Sequence, residues 1–466
     1  MLSSWRVKNF KAWQDSGAIK LAPLTVFFGE NSAGKSSLGQ LLLALKQSAG
    51  ADAAQSPLNF GEHHANHHTS HTLETELDLG SFAQNLHQGQ LSTPLAFELQ
   101  WRLAEPLTLP DVVGQTSSTG IDELGLAVTV LADASLQPQL HTISYTGYQQ
   151  GEAQIKIAYD RAQPAELQVE LFQLSHQYSI KLVDAVAPGR FYQLPQPQGA
   201  EASFVHVLAQ QTEQLLANVQ SLAALRAAPQ RRYSWRGETP NSVGRAGQLV
   251  AAAMLAATAE QRYLQFALGQ GELPFSEGIA YWLEQMGVAS DFSVRLAPDS
   301  TDEYQVFLKT HAEADEVNLA DLGFGISQLL PVIVQAFYAQ PHSTLWLEQP
   351  EIHLHSHVQA GLADMLIAAT QAKQAGQDRH VQIIVESHSE HFLNRLQRRI
   401  AEGVIQHTDV ALYFCSRTGA EAHIETLAVD TYGEIANWPA NLFGDEMADI
   451  AARAMAAVQR KRQQPD

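Results

Sequence analysis

An eight-residue segment near the start of the chain limits its possible folds more than any other feature. Gly29 to Ser36 reads G-E-N-S-A-G-K-S and matches the phosphate-binding loop pattern G-x-x-x-x-G-K-[ST] at every fixed position. The apolar run Leu21 to Phe28 predicts a buried strand before the loop. The Leu- and Ala-rich run Ser37 to Lys46 predicts the helix onto which such a loop opens. This order of elements favours a phosphate site over a chance glycine-rich turn.

Each part of the loop has a chemical role if a nucleoside triphosphate binds. Glycines let backbone amides surround a phosphate, and the helix N-terminus adds partial positive charge. We expect Lys35 to pair with the β- and γ-phosphates and the Ser36 hydroxyl to ligate Mg²⁺. The predicted nucleotide-binding residues here are consecutive: Gly29, Glu30, Asn31, Ser32, Ala33, Gly34, Lys35, Ser36 and Ser37.

Composition argues against several classes of protein. The chain has 466 residues and a formal charge of −20, which disfavours coating nucleic acid by bulk attraction. A single cysteine, Cys415, excludes an intramolecular disulfide framework. No secretory signal is visible, and no apolar run is long enough to span a bilayer. We therefore expect a cytoplasmic protein that is not attached to a membrane.

Three sequence features, one residue and two clusters, each have both a functional and a structural interpretation. Trp13 could stack on adenine or lie in the core. The histidines between His63 and His71 have helical spacing that could hold zinc, or they form a solvated loop. The arginines between Arg226 and Arg245 could contact a nucleotide, a nucleic acid or an acidic partner, or form surface salt bridges.

Motifs in the last third of the chain resemble the second half of a Mg²⁺–nucleotide site. Gly323 to Gln328 forms a glycine-rich turn before an apolar helix, and such a turn can bind an anion. The apolar run Ser343 to Leu347 ends in Glu348-Gln-Pro-Glu, and Val381 to Val385 ends in Glu386-Ser-His. Open α/β sheets bind ligands at the carboxyl ends of their strands. Both strands thus end in polar residues, at the position where such sheets bind their ligands.

The order of these motifs resembles ABC-class ATPases, in particular their SMC-like, RecF-like and OLD-like (overcoming lysogenisation defect) branch. Within it, the segments starting at Gly323, Glu348 and Glu386 are similar to a bacterial group of stand-alone ATPases. That group ends in a G-E-I-x-x-W-P-x-x-F-F tail of unassigned function. Gly433-Glu-Ile, Trp438-Pro and Phe443 match this tail, with Leu442 in place of the first Phe.

The resemblance implies an α/β fold of the ABC type, with a mixed sheet around the Walker A helix and a large inserted β-rich and helical region. It divides the chain into an N-terminal ATPase part (residues 1–94), a β-rich part (95–200), a helical insertion (201–290) and a C-terminal ATPase part (291–466). The insertion is predicted from helix-like runs at Gln214 to Leu225 and Gln248 to Leu268.

The resemblance also implies residue roles. Gly323, Gly325 and Ser327 occupy the signature position, which in ABC enzymes completes the site of a second subunit. The resemblance therefore implies a head-to-tail homodimer that encloses two ATP molecules. Assembly beyond the dimer is left open. Glu348 ends the Walker B strand as a metal ligand together with Ser36, and His388 is the switch histidine that senses the γ-phosphate.

Departures from the family pattern leave the catalytic base open. Gln349 stands at the position where the family usually has its catalytic glutamate. A glutamine side chain can orient water but cannot act as a general base. Glu351 is the preferred base if the turn after Pro350 directs it inward. Two functions remain: an ATPase that gates a separate effector in antiphage defence or genome maintenance, or a nucleotide-regulated binding scaffold. A transporter motor is disfavoured. Nucleic-acid contact is expected to be local and salt-sensitive, at the internal arginines or at Arg460 to Arg462.

Overall fold

A computed structural model describes residues 1–50, 56–61, 77–110, 118–172, 175–182, 188–196, 203–439, 452–457 and 460. Four predicted features lie wholly or partly outside the described residues: the His63 to His71 cluster, Leu442, Phe443, and the C-terminal residues Lys461 and Arg462.

The N-terminal elements form the predicted strand, loop and helix. The sequence builds strands β1 (Leu2–Phe10), β2 (Trp13–Asp15), β3 (Ile19–Lys20) and β4 (Leu24–Gly29), and then helix α1 (Lys35–Gly50). Every residue of β4 is buried, as is typical of a strand covered on both faces. The predicted strand and helix on either side of the phosphate loop are confirmed.

An antiparallel sheet follows, and nine strands of the described chain belong to it. Its further strands are β5 (Leu95–Leu109), β6 (Ser118–Ala132), β7 (Pro138–Gln149), β8 (Glu152–Asp160), β9 (Glu166–Leu171) and β10 (His176–Lys181). The strand order is β10-β9-β8-β7-β6-β5-β1-β2, and β3 also pairs with β1. Buried and less buried residues alternate along β8, as expected where one face packs on a core.

The rest of the chain alternates between helices and strands. First come α2 (Ser203–Ala217), β11 (Val219–Leu222), β12 (Tyr233–Ser234), α3 (Val250–Ala259), β13 (Tyr263–Leu264), β14 (Leu273–Pro274) and α4 (Phe275–Gln285). Next are β15 (Asp291–Leu296), β16 (Glu303–Lys309), β17 (Val317–Asn318), α5 (Phe324–Tyr338), β18 (Thr344–Glu348) and α6 (Ser356–Gln371). The last are β19 (Lys373–Gln374), β20 (Gln377–Asp378), β21 (Gln382–Glu386), α7 (Glu390–Ala401), β22 (Val410–Thr418) and β23 (Glu421–Leu427).

A central sheet brings distant motifs to one edge. Within the described chain its strand order is β11-β18-β21-β4-β22-β23, and all neighbours are parallel except β22 and β23. Glu348 of β18 is in register with Glu386 of β21, which is in register with Phe27 of β4. The two carboxylates therefore lie beside the start of the phosphate loop.

Two helix predictions are too long. The helix predicted from Gln214 to Leu225 is wrong beyond Ala217, because Val219–Leu222 pairs in parallel with β18 at the sheet edge. The helix predicted from Gln248 to Leu268 is regular only over α3 and is followed by β13. In both segments tertiary pairing overrides the helix propensity of Ala and Leu.

Two hydrophobic cores cover opposite faces of the central sheet. Val26 and Phe28 of β4 belong to one core, and Phe27 belongs to the other. A β-strand points successive side chains to opposite faces, so β4 is held on both sides. None of the helices described is both long and apolar enough to cross a bilayer.

Candidate nucleotide-binding site

A cleft of about 520 Å³ opens over the phosphate loop and the first turn of α1. Its lining includes Asn31 to Ser37 from the loop and helix, together with Gln349 and His388 from neighbouring strand ends. Gly29 and Glu30 contribute through their carbonyl oxygens, which accept hydrogen bonds of 2.9 and 2.7 Å from Lys35 Nζ. The cleft thus joins the loop and helix start to four described residues from the last third of the chain, Gln349, His388, Arg417 and Ala420.

Close packing below the loop fixes its path. Gly29 has φ +134°, and a Cβ there would lie 1.9 Å from the carbonyl oxygen of Cys415. Gly34 has φ +89°, and its carbonyl oxygen accepts a 3.0 Å hydrogen bond from Trp13 Nε1. Trp13 is fully buried and therefore belongs to the core. The alternative in which Trp13 stacks on adenine does not fit this position.

A buried carboxylate contacts the loop serine. Glu386 accepts hydrogen bonds of 2.6 Å from Ser36 Oγ and from Trp346 Nε1. Burial, with a further contribution from the charge of Glu348, raises the pKa of Glu386 to about 7. We did not predict Glu386 as a site residue, although its place at the end of an apolar strand is a signal that sequence reasoning could use.

The donor set at this edge suits a magnesium ion. Ser36 supplies a hydroxyl, and Glu348 and Glu386 supply carboxylate oxygens, the hard ligands that Mg²⁺ prefers. Burial is the main cause of the raised pKa of Glu386 and the charge of Glu348 adds to it; a divalent cation would favour the ionised form of both carboxyls. No group of three or more His, Cys, Asp or Glu side chains that could hold a metal is found in the described chain.

The turn after β18 carries Gln349 and Glu351. Gln349 has φ +42°, a left-handed conformation, and its amide donates a 2.9 Å hydrogen bond to the Glu386 carbonyl oxygen. Glu351 is 7% exposed, and its Oε1 accepts a 2.6 Å hydrogen bond from the His388 amide. Burial raises the pKa of Glu351. The carboxyl is thus bound to the backbone of His388, a residue that lines the cleft, although Glu351 itself is not among the described residues of the lining.

Two basic side chains, Lys35 and His388, line the cleft, and the pKa of each is lowered. Burial and the nearby Lys35 ammonium lower the pKa of His388 to about 4, so the imidazole is neutral at pH 7. Burial also lowers the pKa of Lys35, opposed by the charges of Cys415 and of nearby carboxylates. A neutral imidazole can donate or accept one hydrogen bond at each nitrogen, depending on its tautomer.

The glycine-rich turn from Gly323 to Gln328 contributes none of the described residues that line the cleft. Gly323 begins α5, and the Ser327 hydroxyl donates a 2.8 Å hydrogen bond to the Phe324 carbonyl oxygen. A Cβ at Gly325 would lie 2.9 Å from the His353 carbonyl oxygen. Gly323, Gly325 and Ser327 are not among the described residues that line the cleft of their own chain.

The arginine cluster divides into two groups. Arg231, Arg232 and Arg236 form exposed ion pairs with Asp321, Glu303 and Asp302, so the structural interpretation holds for them. Arg226 and Arg245 extend instead to the end of β18. Arg245 Nη2 lies 3.7 Å from Glu348 Oε1, and Arg226 Nη2 donates hydrogen bonds to the carbonyl oxygens of Glu348 and Gln349 at 3.2 and 3.4 Å.

Two known protein families match parts of the chain. Residues 241–394 match the family described as "AAA domain, putative AbiEii toxin, Type IV TA system", and residues 405–452 match "Protein of unknown function (DUF3696)". No curated protein matches the chain. The second match spans the segment around Gly433 and Trp438, but the tail motif itself stays a prediction.

Three solved structures are similar to the chain at low identity. One is the SMC head domain from Thermotoga maritima, with 11% identity and a TM-score of 0.37; the match covers 92% of this chain and 99% of that chain. Another is an SmcHead bound to the C-winged helix domain of ScpA, with 11% identity and a TM-score of 0.42; the match covers 92% of this chain and 98% of that chain. The third is an Smc head domain with an extended coiled coil bound to the C-terminal domain of ScpA derived from Pyrococcus furiosus (9%, 0.37, 97% and 99%).

The predicted fold class is confirmed by the topology of the chain and agrees with the AAA-domain match. The phosphate loop joins β4 to α1, and β21 lies between β4 and the Walker B strand β18. A mixed sheet surrounds the Walker A helix, and the antiparallel strands form a second sheet. The chain has a mixed α/β fold in which a phosphate loop joins the parallel strand β4 to helix α1.

Proposed function

We propose that this protein binds ATP with Mg²⁺ in the cleft and hydrolyses it. The observation that supports this most strongly is the convergence at one sheet edge of Lys35, the Ser36–Glu386 pair, Gln349 and His388. The cleft includes a helix N-terminus and the Lys35 ammonium, and none of the side chains lining it in the described chain is a carboxylate. This environment suits a polyphosphate.

Each residue then has a role in hydrolysis. The loop amides and Lys35 hold the β- and γ-phosphates, and Ser36 and Glu348 hold the metal. Bound Mg²⁺ supplies charge neutralisation at the phosphates. Glu351 accepts the proton of the attacking water, since a carboxylate with a raised pKa is a better base near neutral pH. Gln349 orients that water, and neutral His388 contacts the γ-phosphate.

We infer a head-to-tail homodimer in which Gly323, Gly325 and Ser327 of one subunit complete the cleft of the other. Their position outside the cleft of their own chain supports this arrangement. A two-fold symmetric interface would bury both nucleotides. ATP-dependent closure of this dimer would gate a separate effector protein in the bacterial cytoplasm, in antiphage defence or genome maintenance. The match to a family described as a putative toxin of a toxin–antitoxin system agrees with such a context.

A second candidate is a scaffold that binds ATP without turnover. Two observations favour it: Gln349 stands where a catalytic glutamate is usual, and Glu351 Oε1 is already engaged by the His388 amide. On this alternative, partner binding depends on nucleotide while ATP persists. Any contact with DNA would be local and salt-dependent, because the chain carries a charge of −20.

Steady-state ATP hydrolysis across a protein concentration series tests the proposal. We expect turnover that rises cooperatively with concentration and is lost in Lys35→Ala and Glu351→Gln, with a smaller loss in Gln349→Ala. Wild-type turnover no greater than that of Lys35→Ala, together with tight ATP binding, would instead favour the scaffold. Activity that persists in Glu351→Gln but not in Gln349→Ala would exclude Glu351 as the base.

A further inference from the structure

Arg226 is a buried arginine whose hydrogen bonds leave most of its donors unused. It is 6% exposed, and its Nε and Nη1 atoms are buried without a hydrogen-bond partner in the described chain. Burial lowers its pKa to about 10, so the guanidinium is still charged at pH 7. A buried charge needs compensation, and the nearest compensation is the attraction of Glu351 and Glu348.

The hydrogen bonds that Arg226 does make go to the two consecutive peptide groups that flank Gln349. Its Nη2 atom donates to the carbonyl oxygens on either side of the Gln349 nitrogen and Cα, those of Glu348 and Gln349. Gln349 has φ +42°, which costs a non-glycine residue about 1 kcal/mol and persists only where neighbours hold it. Two further hydrogen bonds restrain this residue: its amide donates to the Glu386 carbonyl oxygen at 2.9 Å, and its carbonyl oxygen accepts from the Ile352 amide at 3.1 Å.

The backbone on both sides of Arg226 is itself anchored. The Ala223 amide donates to the Arg245 carbonyl oxygen at 2.8 Å, and the Ala227 amide donates to the Ala246 carbonyl oxygen at 2.7 Å. These bonds fix the point from which the guanidinium extends toward the turn. A side chain held in this way can transmit its position to the peptide it binds.

We propose that Arg226 is a positioning residue for hydrolysis: its guanidinium holds the left-handed turn that carries Gln349 and Glu351. The expected kinetic effect of losing Arg226 rests on the proposed function, whereas the expected structural effect does not. Without Arg226 the turn loses the one side chain that binds both carbonyl oxygens flanking Gln349, and we expect the Gln349 side-chain amide and the Glu351 carboxylate to lose their fixed positions. A misplacement of this kind lowers the rate of chemistry more than it weakens nucleotide binding.

Amide hydrogen exchange on the full chain without nucleotide tests the structural part. In Arg226→Met, which keeps the apolar stem, we expect faster exchange at the Gln349, Ile352 and Leu354 amides and unchanged exchange in α1. Arg262→Met is the matched control, because Arg262 is equally buried but binds the carbonyl oxygens of Tyr338 and Ala339. It should leave the turn protected. Wild-type exchange at residues 349–354 in Arg226→Met would overturn the proposal.

Kinetics test the functional part. We expect kcat of Arg226→Met to fall about ten- to a hundredfold while the Kd for ATP changes less than about threefold. A Kd as weak as that of Lys35→Ala would instead make Arg226 a nucleotide ligand and overturn the positioning role. If Arg226→Met does not fold, Arg226→Lys should give the same changes at smaller size, and wild-type exchange and kcat in that variant would then overturn it. If Lys35→Ala hydrolyses ATP like wild type, the proposed function fails while the exchange result still stands.

Discussion

Glu386 shows how one side chain can link the stability of the empty protein to its chemistry. Its carboxyl is buried, contacts Ser36 and Trp346, and lies near the Glu348 carboxylate. The pKa of about 7, against an ordinary value of 4.5, means that folding favours the protonated form. A cation bound at this position would favour the ionised form instead.

The raised pKa of Glu386 determines how the stability of the folded protein changes with pH. Stability from the protonated Glu386 carboxyl is fully present below about pH 4.5 and is lost as the pH rises through about 7. In Glu386→Gln, which cannot ionise, this loss is absent. We therefore expect the melting temperature of wild type relative to Glu386→Gln to fall between pH 5 and pH 8, measured without nucleotide or metal. Glu402→Gln, an exposed substitution, serves as the control, and a difference that does not change with pH would contradict the assignment.

Two residues of the site illustrate what sequence reasoning misses at this scale. Glu386 belongs to a predicted strand end, but only the register of β21 beside β18 and β4 brings it to Ser36. Arg226 and its exposed neighbour Arg231 look alike in sequence. Their burial, which depends on long-range packing, separates a residue bound to the Walker B turn from one in a surface ion pair.

At the scale of elements, the local patterns were the reliable guide. The strand, loop and helix around Lys35 and the strands ending at Glu348 and Glu386 follow from short apolar runs bounded by polar residues. The segment Val219–Leu222 was mistaken for helix because its strand identity depends on β18, far along the chain. The domain boundaries proposed from the sequence stay a prediction.

The approach of the phosphate loop to β22 makes an element-level prediction. Gly29→Ala places a methyl group 1.9 Å from the Cys415 carbonyl oxygen at φ +134°, so the loop or β22 must move. We expect a loss of about 3 kcal/mol or more in the free energy of unfolding, together with loss of ATP binding. Gly17→Ala is the control: φ is +65° but nothing lies within 4 Å, so a loss of about 1 kcal/mol is expected. Equal losses in chemical denaturation would show that the contact with β22 is unimportant.

At the scale of the whole molecule, the parallel sheet edge and the glycine-rich turn have to be considered together. The cleft collects residues from both ends of the chain, while the turn before α5 lies outside it with Phe324 52% exposed. An exposed aromatic beside a turn that can bind anions agrees with an interface that forms only around nucleotide. This arrangement is what the proposed dimer requires.

The dimer can be tested by changing only the exposed turn. In Glu351→Gln with Mg²⁺ and ATP, which should trap the bound state, we expect the mass from sedimentation to double relative to the protein without nucleotide. Adding Phe324→Asp should keep the protein monomeric while ATP binding to the monomer persists, because Phe324 does not line the cleft among the described residues. A dimer that forms equally well with Phe324→Asp would mean that this turn is not the interface.

The central claim is that ATP binds over the phosphate loop, and equilibrium binding by calorimetry tests it most directly. Wild type should bind ATP more tightly with Mg²⁺ than without it. Lys35→Ala should lose about 2 kcal/mol or more of binding free energy, because its ammonium forms charge-assisted bonds to phosphate. Lys11→Ala, which removes a lysine of the same cleft lining that lies outside the phosphate loop, should lose less. Equal affinity in wild type and Lys35→Ala, with no effect of Mg²⁺, would contradict the account.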